Sequence, residues 1–309
     1  MMQIDFIPDG SVVLDVGCAC GDFGVALRKC RPASVVYGLD GNLGSVEIAV
    51  RTEAYAEVRS LDLDDPDVSS LDGYEKKFDV IVFGDVLEHL REPQKVLRTF
   101  SRFLKGSGCF VVSLPNVAHV SIKANLLLND FRYTPVGILD ETHLRFFTCR
   151  TIPAFFSDIG LEVEECRFTL QQKQGWQPCD PFPSLSVPIR RFLFEDWHSF
   201  VCQYVMKVIP SDGAGVDVES SNAVKLQIDG RNALPHLSAY RKRLLDELEV
   251  ESSRTRDALK LLCDRDESIR LLSERVNQLK LQKRFYRFLV TGLLLFFALG
   301  IVHCFIFRG

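Results

Sequence analysis

The sequence predicts an α/β fold built on a doubly wound, mostly parallel sheet, and three observations predict it. Short apolar runs rich in Val and Ile alternate with helical patterns over residues 1–115. The runs are apolar throughout instead of every second residue, as expected of strands covered on both faces. The first run ends in a small-residue loop that opens a helix, Val12-Val13-Leu14-Asp15-Val16-Gly17-Cys18-Ala19-Cys20-Gly21-Asp22-Phe23-Gly24. In such sheets that first turn lies at the ligand-binding crevice.

The elements follow in order. Ser11–Val16, Ser34–Leu39, Phe78–Phe83 and Gly108–Leu114 are compact apolar segments bounded by turn residues, and each reads as a strand. A further strand precedes Ser60. Asp22–Lys29, Leu43–Tyr55 and Pro93–Leu104 carry helical periodicity between them. Leu161–Thr169 and Phe200–Ile209 complete a set of seven strands. Pro178, Pro181, Pro183 and Pro188 crowd Gly175–Pro188, which reads as a loop or lid. The resulting division is a globular domain over 1–212, a small and polar linker over 213–235, a coil over 236–287 and an apolar segment over 288–307.

In the coil, a heptad register places Leu237, Leu244, Leu248, Leu262, Ile269, Leu272, Val276 and Leu279 at core positions, with Arg241, Glu251, Arg265 and Lys283 interrupting it. A coiled coil is expected, with self-association or a docking partner; a single amphipathic helix is the alternative. Phe288–Phe307 has 20 residues with no Asp, Glu, Lys or Arg. At about 1.5 Å per residue it matches the roughly 30 Å of bilayer hydrocarbon. Lys280, Lys283, Arg284 and Arg287 flank its near side against Arg308 beyond. The positive-inside rule then places the globular domain in the cytoplasm, held by a single-pass C-terminal anchor.

Composition narrows the function classes. Of 309 residues, 47% are hydrophobic and 25% charged, which excludes a wholly disordered chain. The formal net charge is −4, so no nucleic-acid partner is expected. The coil carries 13 Lys/Arg against 9 Asp/Glu, so the rest of the chain is acidic. Met1–Asp5 shows neither a basic n-region nor an apolar h-region. The 10 cysteines include Cys18 and Cys20 as a C-x-C with no second pair at zinc spacing, so reduced cytosolic thiols are expected.

The Gly17 loop carries the chemistry. Glycines let a ligand approach the backbone, and a helix N-terminus offers free N–H groups. Asp40 ends the next strand, where a carboxylate can accept both hydroxyls of a ribose. Aligned on Gly17, the dinucleotide fingerprint G-x-G-x-x-G finds Ala19 and Asp22 where two glycines belong. The loop instead resembles the D-x-G-x-G-x-G loop of class I S-adenosylmethionine-dependent methyltransferases. Asp15, Gly17 and Gly21 match, and Ala19 replaces the middle glycine.

Later motifs keep that family's order. The resemblance implies that Asp62 and Leu63, in Ser60-Leu61-Asp62-Leu63-Asp64, flank an adenine. It also implies that Gly84 and Asp85, in Phe83-Gly84-Asp85-Val86-Leu87-Glu88-His89, face the transferred methyl group. Asp15, Gly17, Cys18, Gly21, Asp40, Asp62, Leu63, Gly84 and Asp85 are therefore the expected cofactor contacts. Pro115-Asn116-Val117-Ala118-His119 and Leu139-Asp140-Glu141-Thr142-His143-Leu144-Arg145-Phe146-Phe147-Thr148 are similar to methyltransferases encoded among bacterial cell-surface-glycan genes, near the ubiquinone-pathway O-methyltransferases. That resemblance implies an oxygen acceptor on a membrane-associated glycan or lipid-linked sugar, with a quinone-type lipid phenol as the alternative.

A sulfonium methyl is already activated, so the acceptor must be aligned and its proton removed. His143 and His89 are the candidate bases, with Asp140 or Glu88 to orient an imidazole. His89 capping a helix and His143 bonding backbone are the plainer alternatives. Asp85, Glu88 and His89 stand at i, i+3, i+4 spacing, and with His143 they form a candidate set for a divalent metal. Some relatives bind a metal through E-x-x-E-H plus a later His. His198 and His236 read as surface residues. A membrane-tethered, non-catalytic scaffold working through its coil remains the alternative from another class.

Overall fold

The computed structural model describes residues 1–64, 71–170 and 184–211, together with helical positions at 242, 246, 249, 250, 253, 254 and 278–284. Chain contacts divide it into Met1–Leu245 and Asp246–Gly309. The anchor segment 288–307, the linker and most of the coil lie outside the described residues, as do 175–183 of the expected lid. Among the described residues no helix is long and apolar enough to cross a membrane. The coil positions that are described are helical, and Val250, Leu279 and Leu281 are exposed there.

Met1–Leu245 contains β1 (Val12–Val16), α1 (Asp22–Cys30), β2 (Val35–Asp40), α2 (Leu43–Arg51), β3 (Glu57–Ser60) and β4 (Phe78–Gly84). There follow α3 (Pro93–Ser101), β5 (Leu104–Pro115), α4 (Val120–Leu127), α5 (Ile152–Ser157), β6 (Leu161–Thr169), α6 (Val187–Glu195) and β7 (Gln203–Pro210). The seven strands form one sheet in the order β3-β2-β1-β4-β5-β7-β6. β1 to β5 pair in parallel, while β7 runs antiparallel to both β5 and β6. The expected fold class holds.

Both faces of the sheet are covered, which explains the unbroken apolar runs. Leu14, Val16, Ile81 and Phe83 point into the larger core, against α3 and α5 through Leu97, Phe100 and Phe156. Val13, Val80 and Val82 point the other way, against α1 and a 3-10 turn at Met2–Phe6 through Leu27, Ile4 and Phe6. Each strand alternates between two dry faces because successive side chains point to opposite sides.

Some element boundaries differ from expectation. α2 ends at Arg51, four residues early, because Glu53 takes φ +54° and turns the chain. Tyr55 is thereby freed to reach inward. α3 stops at Ser101, and β5 starts at Leu104 instead of Gly108, across a register shift beside Phe78. Trp197–Phe200 form a 3-10 turn, so β7 begins at Gln203. The C-terminal part of the expected lid is helical, with Pro188 in the first turn of α6, where its missing N–H costs nothing.

Candidate active site

Strand order reverses between β1 and β4, and the crevice beyond their C-terminal ends carries the site. Gly17 follows β1 with φ +73°, and a Cβ on it would stand 2.5 Å from Val86 Cγ2 on the loop after β4. Only glycine lets the two loops meet. Gly17 and Cys18 donate their N–H groups to the Leu39 carbonyl at 2.7 and 2.9 Å, and Gly21 closes the turn on the Cys18 carbonyl at 2.9 Å. Ala19 sits at φ +44°, the left-handed region that a glycine would occupy without strain.

Asp40 holds this loop in place. Its carboxylate accepts the Ala19 N–H and the Asn42 N–H, each at 2.8 Å. Each oxygen keeps a further lone-pair direction for a ligand. Asp15 faces the α1 side and is 3% exposed. It accepts the Tyr55 hydroxyl at 2.7 Å, and that oxygen accepts the Gly24 N–H at 3.0 Å. Burial, reinforced by Asp40 and opposed by the Tyr55 hydrogen bond, raises the Asp15 carboxyl to about 7. Burial and the two nearby aspartates push the Cys18 thiol up to about 12, so it is an inert apolar neighbour. All described cysteines are free thiols.

A cavity of about 480 Å³ opens here, within the size range of small-molecule sites. Asp15, Gly17, Cys18, Gly84 and Asp85 line it as expected of cofactor contacts, whereas Gly21, Asp40, Asp62 and Leu63 do not. Asp62 caps the turn after β3 by accepting the Asp64 N–H at 2.9 Å, and Leu63 is partly buried against the larger core. Met1, Met2, Gln3, Thr169 and Gln203 also line the cavity. Thr169 and Gln203 are far from the loop motifs in sequence, and only the packing of β6 and β7 onto the sheet brings them to the cavity.

Asp85 links this cavity to the histidines. It takes φ +58° and lies outside any helix, so the expected helical i, i+3, i+4 grouping is corrected: only Leu87–His89 form a 3-10 turn. Its carboxylate accepts the Ser113 hydroxyl at 3.1 Å and the Gln203 amide, while its N–H donates to Ser113 Oγ at 3.0 Å. Asp85 is solvent-exposed but ringed by protein, and that surrounding raises its carboxyl.

Glu88, His89 and His143 converge, with one ligand atom from each lying within 4.8 Å of the others. Glu88 is 1% exposed, and its Oε2 has no hydrogen-bond partner among the described residues. Burial and the Asp85 and Asp140 charges push its carboxyl well above the usual range. The imidazoles stand edge to face with centroids 4.7 Å apart. His143 Nδ1 lies 3.1 Å from the Ile138 carbonyl, which can only accept, so Nδ1 carries the proton and Nε2 keeps its lone pair. Burial holds the His143 imidazole below its usual range and therefore neutral.

His89 is set the same way. Thr142 Oγ1 donates to Asp140 Oδ1 at 2.7 Å, so it accepts from His89 Nδ1 at 2.9 Å. Asp140 thus orients His89 through Thr142, whereas Glu88 orients neither ring by a hydrogen bond. The main chain ties the two histidine segments together, since Leu144 and Arg145 donate to the Glu88 carbonyl at 2.8 and 3.0 Å. His198 is corrected from surface residue: it is half-buried, 3.7 Å from the Trp197 ring, with Nδ1 at 3.4 Å from the Tyr204 hydroxyl. His236 lies outside the described residues.

Among the described residues, Asp15, Asp22 and Asp85 line the cavity with no lysine or arginine side chain, a lining that suits a sulfonium and an ammonium. Residues 3–166 match the methyltransferase-domain family. The ubiquinone biosynthesis O-methyltransferase of Coxiella burnetii is 28% identical over 107 residues, 35% of this chain and 44% of that protein. The mitochondrial ubiquinone biosynthesis O-methyltransferase of Dictyostelium discoideum is 24% identical over 172 residues, 52% of each chain. The chain spans about half the length of these curated relatives. A TehB-like SAM-dependent methyltransferase from Corynebacterium glutamicum superposes with a TM-score of 0.41 at 19% identity, over 68% of this chain and 86% of that one. The chain belongs to the methyltransferase-domain family, with S-adenosylmethionine as its cofactor.

Proposed function

We propose that this protein transfers a methyl group from S-adenosylmethionine to an oxygen of a membrane-associated acceptor, a glycan or lipid-linked sugar. One observation carries the reading: Asp85 lines the acidic cavity and lies near enough to His143 and His89 for their charges to act on its carboxyl, and both imidazoles are hydrogen-bonded through Nδ1. His143 is the base that takes the acceptor proton, with His89 beside it, and Asp140 sets the His89 tautomer through Thr142. Alignment of oxygen and methyl supplies most of the rate, and the base about 10²–10⁴-fold. The relatives' names include ubiquinone O-methyltransferases, which supports an oxygen acceptor and keeps a quinone-type phenol as the second acceptor class. The apolar 288–307 segment supports membrane attachment of the domain on the cytoplasmic side, with the heptads of 236–287 as a self-association or docking element.

The test begins with calorimetric titration of S-adenosylmethionine, using NADH as control. Binding of the first alone is expected. His143→Ala should retain that binding and lose about 10²–10⁴-fold in methyl transfer to membrane-extract acceptors. Binding of NADH alone would sink the reading, and a folded protein that binds neither would turn the weight to the scaffold alternative.

A divalent ion is a specific variant of this reading, favoured by the buried Glu88 Oε2 that lacks a partner among the described residues. Glu88, His89 and His143 would hold it, and both imidazoles are already fixed through Nδ1, as metal-ligating histidines usually are. Such an ion would supply Lewis-acid acidification of the acceptor hydroxyl. Full activity of EDTA-stripped protein would remove the metal from the account.

A further inference from the structure

A second cavity, of about 560 Å³, is lined by Arg91 and Glu92 before α3, by α3 itself, by Arg145–Phe147 and by Phe155 of α5, and shares no residue with the cofactor cavity. Arg91, Lys95, Arg98 and Arg145 line it, with Phe146 and Phe155 as apolar wall. Glu92 also lines it and pairs with Lys95 at 3.2 Å. Arg91 faces Asp64 at 3.9 Å. Both pairs are exposed, and such pairs contribute at most about 1 kcal/mol, so a multivalent anion can displace them. The four cations exceed these two carboxylates.

The arginines are positioned. Arg98 donates to the Asp158 carbonyl at 3.0 Å, and Arg145 donates to the Arg91 carbonyl. A guanidinium has five N–H donors, so most remain for a ligand. Arg91 follows His89 by two positions, and Arg145 follows His143 by two. At about 3.5 Å per residue, each arginine Cα lies within about 7 Å of the Cα of its histidine. The loops that join the imidazoles therefore join the arginines as well.

We infer that this cavity is the subsite for a phosphate or diphosphate group on the methyl acceptor, an inference that rests on the methyl-transfer reading above. Arginine forks match phosphate oxygens in bidentate geometry. Phe146 and Phe155 offer a face to the uncharged part of the same molecule. Asp85 lines the acidic cavity, which suits the cationic donor, and Arg91 and Arg145, each two positions after a histidine of the cluster, line the basic one, which suits an anionic acceptor.

The test titrates the full-length chain in detergent with inorganic diphosphate and, separately, with S-adenosylmethionine. Diphosphate should bind, and the Arg98→Gln/Arg145→Gln double variant should weaken it at least about tenfold. Arg145→Lys, which keeps the charge and loses the fork, should fall between. Cofactor affinity should be unchanged in every variant, which also shows that they fold. Unchanged diphosphate affinity in the double variant, or no binding at millimolar diphosphate by wild type that binds the cofactor, would overturn the subsite alone. Wild type that binds diphosphate without the cofactor would sink the methyl-transfer reading instead. Phosphatidylglycerol vesicles, with phosphatidylcholine as control, separate the sources of phosphate. If the double variant loses vesicle binding and keeps diphosphate affinity, the arginines serve a lipid surface and the acceptor subsite is wrong.

Discussion

Ala19 holds φ at +44° in the loop that approaches the cofactor. An L-residue there costs about 1–2 kcal/mol, of which glycine returns part as greater entropy of the unfolded chain. Ala19→Gly should therefore stabilise the protein by about 0.5–1 kcal/mol in urea denaturation, with no loss of cofactor affinity. Gly17 is the opposite case, because a methyl group there meets Val86 at 2.5 Å with φ at +73°. Asp15 gives a pH signature. Burial raises its folded carboxyl to about 7, against about 3.9 in the unfolded chain. Between those values the folded state holds the extra proton, so stability contributed at low pH falls as pH rises from about 4 to about 7. Asp15→Asn should remove that slope, leaving the cofactor-free variant equal to wild type near pH 4 and more stable above pH 7 by about 3–4 kcal/mol. A parallel pair of urea-midpoint curves across this window would refute the assignment.

At the scale of elements, Tyr55 joins parts that lie far apart in the chain. It leaves the end of α2 and bonds β1 through Asp15 and α1 through Gly24. Tyr55→Phe should cost about 1–3 kcal/mol, because a buried carboxylate and a backbone N–H both lose their partner. The effect of the Tyr55→Phe/Asp15→Asn double variant should depart from the sum of the two single effects, since the residues touch. A helix reading carried through Tyr55 missed this role: the 3.6-residue periodicity of 43–55 does not reveal that Glu53 turns at φ +54°. At α2 itself, Asn42 accepts the Ser45 N–H at 3.1 Å as an N-cap, and Asn42→Ala should lower stability by about 1 kcal/mol.

At the scale of the molecule, Met1–Leu245 is one compact unit that carries the whole sheet and both cavities. A fragment of residues 1–245 is expected to unfold in one transition and to keep cofactor affinity. The full chain, with its apolar 288–307 segment, is expected to sediment with membranes and to resist alkaline carbonate, while the fragment stays in the supernatant. Release of the full chain by carbonate would remove membrane spanning from the proposal. Sedimentation of a chain cut before residue 288 tests the coil, with dimers or larger species expected if the heptads pair with themselves.

The sequence by itself determined the fold class, because strands covered on both faces must be apolar throughout and the turns between them must be small or polar. It also made the loop after β1 legible, since Asp15, Gly17 and Gly21 lie within seven residues of one another. Tertiary structure alone decided how the site is wired. Asp85 left its expected helical turn for Ser113 and Gln203, and Asp140 reached His89 through Thr142. Met1, Thr169 and Gln203 joined the cofactor cavity, and Arg91 met Arg145 across the second one. Such pairings depend on which strands become neighbours, and the order β3-β2-β1-β4-β5-β7-β6 is set by packing over the whole sheet. Local periodicity reports which residues are buried; only the packed sheet decides which of them meet.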